Sequence, residues 1–381
     1  MQMKIRYFDH AATTYVKLEV LKEMLPYFRL NYGNPSSLYS IGRKSKKAID
    51  IARKRVAEAI NAKTKEIYFT SCGSESDNLA IKGVAYANKN KGKHIITSKI
   101  EHPAVLNTCK RLEEEGFEIT YLNVDCKGRI SIEELENAIK EDTILITIMF
   151  ANNEIGTIEP IEEIGKIAKK HNIIFHTDCV QAIGNVKIDV KKFNIDLLSI
   201  SAHKFYGPKG VGVLYVKESI NFQKLQDGGH QEKDKRAGTE NVAGIVGIGK
   251  AIELANLNLE RYNKKLTFLK DYCINQIEKN FKNVKLNGSK INRLPGNINY
   301  SFSKINGEEL LLKLDEYGIC VSSGSACSSG NDSPSHVLKA IGVKEEYING
   351  TIRITLGEEN TKQDVDFLIR CLKEIIPKIS K

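Results

Sequence analysis

Ile173-Ile174-Phe175-His176-Thr177-Asp178 and Leu197-Leu198-Ser199-Ile200-Ser201-Ala202-His203-Lys204 each run from apolar residues to a charged one. Short apolar runs of this kind read as buried strands, with the polar residue standing at the strand's carboxyl end. The pattern repeats outward from these two, in Ile67-Tyr68-Phe69, His94-Ile95-Ile96, Phe117 to Leu122, Thr143 to Phe150 and Val211 to Val216. Between the runs lie apolar residues at helical spacing, such as Ile132/Leu135/Ala138/Ile139 and Ile161/Ile164/Ile167/Ala168. Strand and helix alternation, with strands apolar on both faces, predicts an α/β fold. Its sheet is mostly parallel, seven-stranded and sandwiched by helices, and its ligands sit beyond the carboxyl ends of the strands.

The remainder of the 381 residues is organised differently. From about 241 to 278 the periodicity is helical and long and predicts an arm leading away from the sheet. Beyond it, short strands at 296–300 and 350–356 alternate with helices, as in a smaller α+β domain. The segment Tyr7 to Thr14 packs with either part. The expected division is a large ligand-binding domain over 15–255 and a small domain made of 1–14 with 256–381.

Bulk properties narrow the function. No apolar run approaches the roughly twenty residues of a membrane helix, and the first ten residues lack a signal-peptide core, so the expectation is a cytoplasmic chain with no membrane partner. Eight cysteines include no CxxC pair and are too sparse for a disulfide framework; reduced thiols are expected, and no metal site. The net charge of +10 is spread over short mixed runs such as Lys89-Asn90-Lys91-Gly92-Lys93, which reads as a solvated surface and not as a nucleic-acid footprint.

The chemistry lies at the strand ends. A lysine just past an apolar run is desolvated enough to act as an amine nucleophile, and a buried carboxylate at a neighbouring strand end calls for a cationic partner. Lys204 and Asp178 are therefore the pair that pyridoxal 5'-phosphate requires: an amine for its aldehyde and a carboxylate for its ring nitrogen. For Asp178 the competing reading is a helix N-cap before Val180-Gln181-Ala182. Gln181 can donate to the phenolic oxygen of the ring. Ser71-Cys72-Gly73-Ser74 follows a strand and opens a helix, as a phosphate site does, and Ser201 and His203 stand ready to complete it. His102 precedes Pro103 at a helix start, where an imidazole can lie on a ring and carry protons; Asn153 sits just past a strand. Arg353, within the strand-like Gly350 to Thr355, suits a bidentate grip on a substrate carboxylate, against the alternative of an arginine on the solvent face of an edge strand. Cys327, in Ser322-Ser323-Gly324-Ser325-Ala326-Cys327-Ser328-Ser329-Gly330, is flanked by residues too small to enclose a thiol, the setting of a reactive cysteine; Cys320 reads as an ordinary strand thiol.

These residues fall within a longer series of motifs: Tyr7 to Thr14, Gly33-Asn34-Pro35-Ser36-Ser37, Thr70 to Asn78, Glu101-His102-Pro103-Ala104-Val105, Asn152-Asn153-Glu154-Ile155-Gly156, His176-Thr177-Asp178, Ser201 to Lys204, Gly228-Gly229-His230-Gln231-Glu232, Arg236-Ala237-Gly238-Thr239-Glu240-Asn241 and Ser322 to Ser328. In that order they resemble the group I (NifS/IscS-type) cysteine desulfurases, in the class V branch of fold-type-I pyridoxal phosphate enzymes. The resemblance implies Lys204 as the Schiff-base lysine, Asp178 on the pyridine nitrogen, Gln181 on the phenolic oxygen and His102 stacked on the ring. It implies Gly73, Ser74, Ser201 and His203 around the phosphate, with Thr239 reaching the phosphate of a neighbouring subunit in a homodimer. Arg353 would hold the carboxylate of L-cysteine, Asn153 would contact substrate and cofactor, and Cys327 would take the sulfur as a persulfide and pass it to an acceptor, an iron–sulfur scaffold or a thiolation enzyme. Cys179 stands where alanine is more usual, and Ser74 replaces a threonine but keeps the hydroxyl. A selenocysteine lyase or a class V aminotransferase on the same scaffold is the alternative.

Overall fold

The computed structural model describes residues 4–323 and 334–379. A two-residue strand, β1 (Arg6–Tyr7), comes first, followed by β2 (Ile67–Thr70), β3 (His94–Ser98), β4 (Glu118–Leu122), β5 (Thr143–Thr147), β6 (Ile174–Asp178), β7 (Leu197–Ser201) and β8 (Gly212–Val216). The last seven form one sheet in the order β2-β8-β7-β6-β5-β3-β4. Its pairs are parallel except at β8, which runs antiparallel to both of its neighbours. Every residue of β3, β5, β7 and β8 is buried, the burial that comes from cover on both faces.

That cover is helical. Helices Ser40–Ala59, Ile161–Lys170 and Val242–Leu257 supply one apolar layer, and Gly73–Asn88 with Pro103–Glu114 supply the other. Ser40–Ala59 and Val242–Leu257 approach so closely that a Cβ on Gly249 would lie 2.6 Å from the Cβ of Ala52; glycine there is a packing requirement. The long helical stretch from 241 to 278 is not one arm. It is two helices, Val242–Leu257 and Leu259–Asn280, bent by 70°. Asn258 stands at the break, its side chain donating to the carbonyl of Leu254, a local bond that competes with continuation of the helix. The first helix stays in the sheet core, while Leu266, Leu269, Cys273, Ile274 and Ile277 of the second enter a separate apolar cluster. Among the described residues no single helix is long and apolar enough to cross a membrane.

The separate cluster is built on a three-stranded antiparallel sheet of β9 (Val284–Leu286), β10 (Asn297–Phe302) and β12 (Thr351–Thr355), in the order β12-β10-β9. Helix Lys362–Ile379 lies against it. The short β11 (Ile319–Cys320) pairs in parallel with β1, and Phe8, fully buried, joins the same cluster. From there the N-terminal segment runs back toward the large sheet: Thr355 N donates to Phe8 O at 2.7 Å and Thr14 N to His203 O at 2.9 Å. Residues 8–14 therefore stitch the small sheet to the turn that carries Lys204.

Candidate active site

A cavity of about 330 Å³ opens at the carboxyl ends of the parallel strands, and β12 forms part of its wall. Asp178, the last residue of β6, is only 7% exposed. Its Oδ1 accepts from Val180 N at 2.8 Å, but no helix starts there; the carboxylate closes a turn, which removes the N-cap reading. Burial pushes this carboxyl above the ordinary aspartate range, while His102 and Lys204 nearby pull it down.

Lys204 stands in the 3-10 turn Ala202–Lys204 directly after β7. Its Nζ donates to the carbonyls of Ala11 and Ala12 at 2.8 and 2.6 Å. Gln181 Nε2 reaches the same Ala11 carbonyl at 3.0 Å, so amine and amide converge on one point of the N-terminal segment. Behind the lysine, His203 Nδ1 lies 3.0 Å from Thr13 Oγ1; burial, then the charges of Lys204 and Lys209, lower its pKa to about 4 and keep it neutral.

His102 caps helix Pro103–Glu114, its Nδ1 accepting from Ala104 N at 3.1 Å. An accepting Nδ1 leaves the proton of the neutral ring on Nε2. Burial lowers its pKa, with Asp178 opposing and Lys204 reinforcing. On the other side, helix Gly73–Asn88 begins with Cys72 as cap, Glu75 N donating to its Sγ at 3.4 Å. Gly73, Ser74 and Ser201 line the cavity together. A Cβ at Gly73 would stand 2.7 Å from Val180 Cγ2 and 3.3 Å from Ser201 Cβ, so only glycine lets the helix start close up against the strand ends.

Arg353 is 2% exposed although β12 is the edge of its sheet. The solvent-face alternative is therefore wrong: the side chain points into the cavity wall, Nη2 on Asp9 Oδ1 at 2.9 Å and Nη1 on the Asn153 carbonyl at 3.2 Å. Its Nε is buried without a hydrogen-bond partner among the described residues.

Ten of the twelve site residues expected from sequence line this one cavity. Thr239 does not; it is exposed, on a segment fixed to the sheet by ion pairs from Arg236 to Glu75 at 2.8 Å and from Arg53 to Glu232 at 2.7 Å. Cys327 lies outside the described residues. Its flanks are described: Ser322 exchanges both backbone hydrogen bonds with Arg353, and Ser335 lies beside the cavity.

Sequence reasoning missed Asp77, Glu154 and His336, which also line the cavity. Asp77 falls one helical turn after Gly73, a spacing that brings it to the same face. It is buried next to Asp178, its Oδ1 unpartnered among the described residues. Burial and then the Asp178 charge push its pKa well up. His176, 3.7 Å away, offers no counter-charge, because burial lowers it to about 3.

Fold and cleft together are those of a pyridoxal-phosphate enzyme scaffold, and the comparisons agree. The chain belongs to the class-V aminotransferase family, whose model matches residues 6–368. Within that family it groups with the cysteine desulfurases. It is 59% identical to the cysteine desulfurase IscS of Clostridium botulinum over 377 residues, 98% of this chain and 94% of the relative. Among solved structures it superposes on a NifS-like protein with a TM-score of 0.93 at 39% identity, covering 98% of this chain and all of the other. It is also similar to SspA in complex with cysteine, with a TM-score of 0.82 at 41% identity over 92% of this chain and 98% of that one.

Proposed function

We propose that this cavity is where L-cysteine gives up its sulfur, with pyridoxal 5'-phosphate held by Lys204 and Asp178. The convergence of Lys204, Gln181 and Asp178 on one buried point, facing an inward Arg353, is the observation that carries the reading. The residues suit the cofactor. A buried carboxylate raised by its surroundings gains from a protonated ring nitrogen, and a glycine whose Cβ has no room opens a helix beside two serine hydroxyls, as an anionic phosphate requires. When bound, the cofactor supplies an aldehyde for an amine and a ring that accepts electrons from the substrate's Cα.

The chain's own residues do the rest. Gly73, Ser74, Ser201 and His203 take the phosphate, and Gln181 donates to the phenolic oxygen. His102 covers the ring, a neutral imidazole with its proton on Nε2. Arg353 grips the cysteine carboxylate, Asn153 orients the substrate beside it, and Lys204 moves the Cα proton. The Cys327 thiolate then attacks the substrate sulfur. A sulfur–sulfur bond forms, the substrate's Cβ–S bond breaks with its electron pair left on carbon, and protonation of that carbon leads to the methyl group of alanine. The persulfide on Cys327 passes to an acceptor protein, an iron–sulfur scaffold or a thiolation enzyme, in the cytoplasm. In the homodimer Thr239 reaches the neighbouring subunit's phosphate, and the chain divides into a large domain, 15–255, and a small one of 1–14 with 256–381.

Replacing Cys327 with Ala tests the reading. The variant is expected to keep the cofactor's absorbance and its spectral change with cysteine, while losing persulfide and turnover. Desulfuration at the normal rate by that variant would remove Cys327 from the mechanism.

A further inference from the structure

The segment bearing Cys327 leaves the described structure at Ser323 and returns at Pro334, and both flanks are fastened to one wall of the cavity. On the entry side Ser322 and Arg353 bond backbone to backbone at 3.1 and 2.6 Å. On the return side Ser335 Oγ donates to Glu154 Oε2 at 2.6 Å, a bond between residues 181 apart in sequence. The same hydroxyl accepts from Leu338 N at 3.3 Å, capping the turn of helix that follows, and His336 Nε2 lies 3.0 Å from the Glu101 carbonyl.

Glu154 is itself held rigidly. Asn152 Oδ1 accepts from the backbone N of Glu154 and of Ile155 at 2.9 and 3.0 Å, and Asn299 Nδ2 donates to the Glu154 carbonyl at 3.1 Å. Its neighbour Asn153 receives the Arg353 guanidinium, so the two fastenings are joined through Arg353, Asn153 and Glu154. Burial pushes the Glu154 carboxyl to about 7, with Ser335 and Arg353 opposing. A buried carboxyl under that penalty is a poor choice for packing alone, since an apolar residue of similar size would fill the space without it.

We infer that Glu154 is a positioning residue for sulfur transfer, which through Ser335 holds the return flank of the Cys327 segment against the wall where substrate is bound. The inference rests on Cys327 being the sulfur acceptor. Glu154 then governs how often the thiol meets the substrate sulfur, and leaves cofactor and cysteine binding alone.

The test uses holoenzyme carrying Glu154→Ala, Glu154→Gln or Ser335→Ala, with two readouts. Cofactor absorbance against cysteine concentration reports binding; mass spectrometry of Cys327 in a single turnover reports persulfide formation. Glu154→Ala should bind cysteine as the parent does and form persulfide at least about tenfold more slowly, within the hundredfold that an ångström of misplacement costs. Glu154→Gln, whose side-chain carbonyl still accepts from Ser335, should recover most of the rate. Ser335→Ala should reproduce the loss, and the double variant should be no slower than either single one. An unchanged persulfide rate in Glu154→Ala and Ser335→Ala would overturn the inference, as would an equal loss of cysteine binding, which would make Glu154 part of the substrate site. Failure of the underlying reading looks different: persulfide-free turnover would persist in Cys327→Ala whatever residue stands at 154.

Discussion

Replacing Arg353 with Lys isolates what the guanidinium contributes. Arg353 spends Nη2 on Asp9 and Nη1 on the Asn153 carbonyl, so a substrate carboxylate meets a fork already fixed in orientation, with a buried Nε that lacks a partner among the described residues. A hydrogen bond to a charged group is worth about 1.5–3 kcal/mol. Lysine keeps the charge but not the planar fork, and forfeits about one such bond. The expected loss is about 2 kcal/mol, which is roughly thirtyfold in KM. Steady-state alanine formation from L-cysteine measures it, and thermal unfolding checks that Asp9 has not been left without its partner. Cysteamine, which lacks the carboxylate, supplies the control: the parent should prefer cysteine over it by a margin that the variant largely loses. A KM within threefold of the parent, with an unchanged melting temperature, would mean that the substrate carboxylate is held elsewhere.

Gly73→Ala should weaken pyridoxal phosphate binding, because the added methyl meets Val180 Cγ2 at 2.7 Å and moves the helix start; overpacking of about 1–3 kcal/mol corresponds to roughly five- to 150-fold in affinity. Absorbance titration of the cofactor-free protein measures it, and unaltered affinity would place the phosphate away from this turn. Glu159→Gln tests a pH dependence remote from the cavity. Burial pushes Glu159 from 4.5 up to about 8, offset in part by Ile130 N and Arg129. The folded protein therefore keeps a proton that the unfolded chain releases above 4.5, and stability is lost as pH rises from there to about 8, by at most about 5 kcal/mol. The variant retains an acceptor for Ile130 N and should melt several degrees higher than the parent at pH 9 and no higher at pH 4; a gain independent of pH would refute the assignment.

The large sheet was legible because its strands are buried on both faces. Each is a short apolar run with a turn after it, and seven such runs became seven paired strands. The stretch from 241 to 278 was misread for a related reason. Periodicity reports which face is apolar and says nothing of direction, so a helix that bends at Asn258 to serve a second core looks continuous. The small sheet's edge concealed Arg353 in the same way: position in a sheet does not say which face a neighbouring segment covers, and the segment that covers this one begins with Phe8 and Asp9, more than 340 residues earlier.

The site divides along the same line. Lys204, Asp178, Gly73 and His102 were readable because each ends or follows a local element, and strand ends are where such a sheet leaves room for a ligand. What stayed hidden depends on partners distant in sequence. The carbonyls of Ala11 and Ala12 that receive Lys204 Nζ belong to a segment some 190 residues away, and they have no side-chain signature at all. Asp77 was written plainly in Ser74-Glu75-Ser76-Asp77-Asn78, yet an acid in a first helical turn is the commonest of surface features; only the packing of that turn against β6 and β7 turns it into a buried acid beside Asp178. Glu154 shows the limit most clearly. Its partner Ser335 lies beyond the whole small sheet, and nothing local distinguishes a carboxylate that fastens a distant segment from one that faces water. The residues that perform chemistry announce themselves by where a strand stops, whereas those that hold the chemistry in place do so through contacts only the folded chain creates.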